Sequence, residues 1–109
     1  MVLISDKVIK FTTERNFLGI ALKKEINKFG WAGCVDVIRG EFIKNKIDLD
    51  SKIQYTVEEY KGVKVFIPES LKNSISSSQE IRIRSNLSFF GVMILSVDIF
   101  ESVWRKVWK

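Results

Sequence analysis

Sulfur and imidazole set the first limits on chemistry. The 109-residue chain carries one cysteine, Cys34, and no histidine. A tetrahedral zinc site takes about four ligands, drawn mainly from Cys and His, so a single copy cannot assemble a conventional one. A Ser-His-Asp or Cys-His pair is equally out of reach, because the imidazole that activates the nucleophile is missing. One cysteine also excludes an intramolecular disulfide. Neither GxGxxG nor GxxxxGK followed by Ser or Thr occurs, so the usual phosphate-cradling loops are absent from the sequence. For acid-base work the only adjacent carboxylates are Glu58 and Glu59. They flank a predicted turn, whereas a catalytic carboxylate is normally set in a concave, water-poor pocket. The expectation is a protein that binds rather than one that catalyses.

Charge points the same way. Eighteen Lys and Arg against thirteen Asp and Glu give a net +5, spread evenly along the chain. Residues 1–55 carry ten basic and seven acidic side chains, and residues 56–109 eight and six. Nucleic-acid binders usually concentrate their cations on one element. The nearest approach here is Arg82 and Arg84 with Lys64 on one sheet face. A small basic nucleic-acid-binding module is therefore the alternative function, recognisable by steep salt dependence.

The elements that must position these residues are those of one domain spanning residues 1–109. A 46% hydrophobic content with a single proline is enough for a core and unlike a disordered chain. The longest uncharged apolar run, Leu87 to Val97, has eleven residues, short of the roughly 18–20 that a spanning helix needs. Residues 1–7 lack a basic leader followed by a long apolar core, which reads as an intracellular, cytoplasmic chain. Ser5 or Asp6 can cap a helix starting near Lys7, with Val8, Ile9 and Thr12 on one face. From Thr13 to Phe29 the pattern is open. Leu18, Ala21, Leu22, Ile26 and Phe29 fit a helical face, but Leu18, Ile20 and Leu22 also alternate as a strand, and Gly19 costs a helix about 1 kcal/mol.

Phe29 to Cys34 is a glycine-bracketed loop, followed by a strand from Val35 towards Phe42 and Ile43 and a polar turn over Lys44 to Asp50. Ile53, Tyr55 and Val57, then Val63, Val65 and Ile67, form two strands joined at Glu59–Gly62 as an antiparallel hairpin. Pro68 ends the second strand, and a short helical turn covers Glu69 to Asn73. After a serine-rich loop come a strand at Ile81–Arg84 and a strand from Phe89 to Val97 that should be covered on both faces. The tail places Val103, Trp104, Val107 and Trp108 at helical spacing. It either packs its tryptophans on the sheet or docks on a partner or an anionic membrane.

Three segments in order resemble the HesB/IscA-like family of A-type iron-sulfur cluster carriers. Gly30-Trp31-Ala32-Gly33-Cys34 is similar to the loop that presents the family's first cluster cysteine. Lys52 to Leu71, with its Glu-Tyr-Lys-Gly turn and Pro68-Glu-Ser-Leu71, is similar to the central hairpin and the helix that follows it. Leu87 to Ser96 looks like the entry to the last core strand. The resemblance implies an α+β fold with a mostly antiparallel or mixed sheet, one early helix over residues 6–16, a strand from Phe17 to Glu25, and a short helix after Pro68.

It also implies a role in iron-sulfur assembly, but the family's C-terminal Cys-x-Cys is replaced by Glu101-Ser-Val-Trp-Arg-Lys-Val-Trp. A cluster takes about four thiolates, and even a dimer offers two. No cofactor is expected unless another molecule, such as a second protein or glutathione, supplies ligands. Cys34 is then a weak candidate ligand, otherwise a small buried residue or an isolated thiol. The expected contact surface for a protein partner or homodimer is the Phe29–Cys34 loop, with Trp31 either exposed or shielding the loop, together with Trp104 and Trp108.

Overall fold

The computed structural model describes residues 2–28, 34–75, 78–89 and 91–101. The fold is α+β, with two sheets where the sequence suggests one. Strands β1 (Val2–Ile4), β6 (Gln79–Phe89) and β7 (Val92–Glu101) form a three-stranded sheet in the order β1-β6-β7. Strands β2 (Gly19–Lys28), β3 (Cys34–Ile43), β4 (Tyr55–Tyr60) and β5 (Val63–Pro68) form a four-stranded sheet in the order β3-β2-β5-β4. Helices α1 (Asp6–Glu14) and α2 (Glu69–Ser74) complete the order. The second sheet escapes a sequence reading because β1 is only three residues long and pairs parallel with β6, Val2 against Ile81 and Ile4 against Ile83.

Local chemistry accounts for the boundaries. Ser5 is extended, its carbonyl accepts from the amides of Val8 and Ile9, and Asp6 stands in the first turn of α1, where the helix dipole favours an anion. Thr12 is buried, and its hydroxyl donates to the Val8 carbonyl at 2.8 Å, so burial leaves no donor unmet. The helix gives out at Arg15, and Asn16 turns the chain with φ 56°. The open stretch after Thr13 thus resolves into the end of α1 followed by a strand.

Lys61 and Gly62, at φ 49° and 85°, make the two-residue turn between β4 and β5. Positive φ at both central positions gives a turn twist that matches the flanking strands. Pro68 closes β5 as its residue type requires, and α2 follows at once, burying Leu71.

Ile20, Leu22, Val65 and Ile67 from one sheet meet Ile4, Ile81, Ile83 and Met93 from the other in a single core, joined by Val8 of α1. β3 and β7 approach each other at Gly40, where a Cβ would lie 3.2 Å from both Leu95 and Val97. The expected Phe89–Val97 strand is instead the end of β6, a turn at Gly91 with φ 77°, and the first half of β7. Nor is it covered on both faces, because Val92 and Ile94 are 53% and 45% exposed. The apolar run hides a hairpin turn, since glycine supplies the turn without any polar residue.

Candidate functional site

Cys34 stands at the end of a ribbon. β2 and β3 pair antiparallel through ten positions, from Gly19↔Ile43 to Lys28↔Cys34. The parallel pairing of β2 with β5 covers only Gly19 to Ala21. From Leu22↔Gly40 outward, β2 therefore has β3 as its single strand partner, over roughly 20 Å at ~3.3 Å per residue. Charge pairs hold this two-stranded stretch. The Glu25 carboxylate accepts from the Arg39 guanidinium at 2.7 Å and lies 3.7 Å from the Lys23 ammonium. The polar faces of Lys23 and Arg39 thus serve a ribbon rather than a buried sheet, and the first residue of β3 at its far end is the chain's one cysteine.

Trp31, with the loop that precedes Cys34, and Trp104 and Trp108 lie outside the described residues.

The cation group suggested for nucleic acid is dispersed. Arg82 and Arg84 belong to β6 and Lys64 to β5, in different sheets. Each arginine also has a carboxylate close by, Glu80 at 3.6 Å from Arg82 and Asp98 at 3.4 Å from Arg84. Alternation along β6 turns both arginines away from the core, as the sequence implies, but sheet membership depends on long-range pairing that alternation does not encode. Of the two adjacent glutamates, Glu58 accepts from the Lys72 ammonium at 3.0 Å, tying β4 to α2. That is a structural contact.

Sequence reasoning missed one cavity. The connection between β3 and β4 crosses the outer face of the four-stranded sheet and leaves a cleft of about 300 Å³, lined by Ala21, Lys23, Glu41, Leu49, Ile53 and Tyr55 among others. Its wall is fixed by a 3-10 turn at Lys46–Asp48. Asn45 Oδ1 accepts from the Ile47 amide at 3.0 Å, and Asp48 Oδ2 from the amides of Lys44 and Asn45 at 2.9 and 3.3 Å. The Asn-x-x-Asp spacing is the legible signal for that turn. The cleft mixes lysines with carboxylates. Among the described residues no group of three or more His, Cys, Asp or Glu could hold a metal ion, and no helix is long and apolar enough to cross a membrane.

No protein-family model, curated protein or solved structure matches the chain.

Proposed function

We propose that the chain is a divergent HesB/IscA-like protein of iron-sulfur assembly. It acts by binding a protein partner and holds a cluster only with ligands from another molecule. The observation that supports this reading is the position of Cys34. The chain's one thiol opens β3 at the far end of a long ribbon, after an early helix and before a tight hairpin, a proline-started helix and a last apolar strand. That is the order of elements the resemblance implies. A residue at the end of a two-stranded ribbon is placed to meet a second molecule, and one thiolate per copy leaves most of a cluster's coordination to that molecule. In this reading Trp31, Trp104 and Trp108 extend the contact. The setting is the cytoplasm, where a lone thiol stays reduced.

Anaerobic reconstitution with iron and sulfide tests it, comparing the chain with Cys34→Ser by visible absorption. The chain alone is expected to stay colourless, and addition of glutathione should give a chromophore that Cys34→Ser loses. A cluster held by the chain alone, or one retained by Cys34→Ser, would sink the reading. Absence of colour with glutathione would end the candidacy of Cys34 as a ligand.

A further inference from the structure

The connection between β3 and β4 bounds the cleft, and away from the cleft it carries a second feature. Ile47, in the Lys46–Asp48 turn, is 86% exposed, the most exposed large apolar side chain among the described residues. Single apolar residues at a surface are ordinary. This one is held out by a built turn, because the Asn45 and Asp48 side chains accept from the amides of Ile47, Lys44 and Asn45. Ile53 of the same connection is 42% exposed. Val57, 51% exposed, shares a face of β4 with Tyr55, which lines the cleft.

Charge on this connection is sorted in the same way. Between Lys44 and Ile53 stand three lysines, Lys44, Lys46 and Lys52, and two aspartates, Asp48 and Asp50. Both aspartates line the cleft, and each engages backbone amides: Asp48 those of Lys44 and Asn45, and Asp50 that of Lys52 at 2.9 Å. The three lysines and Ile47 do not line the cleft. All three lysines are exposed, and among the described residues none of their ammonium groups has an ion pair or hydrogen bond.

We propose that this connection is a contact with an anionic lipid surface. Ile47 enters the interfacial layer of the bilayer, and Lys44, Lys46 and Lys52 meet headgroup phosphates and carboxylates beside it. An exposed aliphatic tip flanked by unpaired lysines matches a surface that is anionic outside and apolar within, and long cationic side chains keep their ammonium groups in water next to an immersed neighbour. Protein interfaces instead deplete lysine and favour aromatic residues, methionine and arginine, none of which stands between Lys44 and Ile53. A nucleic-acid backbone would meet the lysines and leave Ile47 in water. With one apolar side chain and three cations the contact is weak, reversible and screened by salt.

Flotation of the full chain with vesicles tests this, comparing pure phosphatidylcholine with an equimolar mixture of phosphatidylcholine and phosphatidylserine. The chain should float with the anionic vesicles, come off as salt rises, and stay behind with the neutral ones. Ile47→Ser should weaken binding about fivefold, as partial immersion of one aliphatic side chain implies. Lys44→Ala together with Lys46→Ala should weaken it about tenfold or more. The three side chains are exposed, so the circular dichroism spectra of these variants should match the parent.

No flotation, equal flotation with neutral vesicles, or binding that either Ile47→Ser or the lysine pair leaves unchanged overturns the proposal. The last result would place the attachment elsewhere on the chain. Binding to a single-stranded oligonucleotide in place of vesicles, indifferent to Ile47→Ser, overturns it in favour of nucleic acid. Cys34→Ser should float like the parent, which separates this contact from cluster chemistry.

Discussion

Gly19 shows how a residue can point to the right element for an incomplete reason. In the sequence it counts against a helix on propensity alone. In the structure it opens β2 where that strand runs beside β5, and a Cβ there would collide with the Lys64 backbone oxygen. Backbone, unlike a flexible side chain, cannot move aside cheaply. Gly19→Ala is therefore expected to destabilise the fold by about 2–3 kcal/mol, the range for overpacked sites, read as a lower urea midpoint at unchanged slope. Arg84 is the contrasting case. Its partner Asp98 lies 3.4 Å away, but the arginine side chain is 67% exposed, and exposed pairs contribute about 0–1 kcal/mol. Arg84→Ala should shift the same midpoint little. The outward direction of Arg82 and Arg84 was legible from alternation with Ile81 and Ile83. The carboxylate beside Arg84 was not, because Asp98 belongs to another strand.

At the level of elements, locally encoded structure was the most readable. The β4–β5 hairpin has its turn glycine and its terminating proline in the sequence, and both act as their residue types require. Gly62 holds φ 85° with nothing within 4 Å of a would-be Cβ, so Gly62→Ala isolates the backbone cost of a left-handed position. That cost is about 1 kcal/mol; thermal unfolding should show a correspondingly modest fall in Tm. The short helix α2 depends on a different force. Leu71 is 1% exposed in the core, and Leu71→Ala should cost about 2–5 kcal/mol by lost burial and the cavity left behind. The same melt would then show a much larger fall. The register shift in β6 between Ser85 and Leu87 and the hairpin turn at Gly91 were not legible, because both are defined by what stands opposite on a partner strand. A continuous apolar run from Leu87 to Val97 gives no sign of either.

For the molecule as a whole, the α+β class is the one the resemblance implies, but the division into two sheets was not expected. That division rests on β1, whose three residues bury Val2 and Ile4 to 4% exposure each against β6. A charge at either position has nowhere to go in the core. Ile4→Asp is expected to remove cooperative unfolding, seen as loss of a sigmoidal denaturant transition, while Leu3→Asp between them should be tolerated, since Leu3 is only half-buried. Of the candidate site, the single thiol is read directly from the sequence; the ribbon that carries it was not legible, because its length depends on where β5 stops pairing with β2.

The β1–β6 pairing also sets a schedule. Val2 is matched with Ile81, so during translation the earliest strand emerges from the ribosome about eighty positions before its mate. At ~5–20 residues per second that is a wait of roughly 4–16 s. Throughout it the nascent Val-Leu-Ile segment stays uncovered, a natural target for holding chaperones. A bulky fusion placed ahead of Val2 should accordingly lower soluble yield more than the same fusion after Lys109.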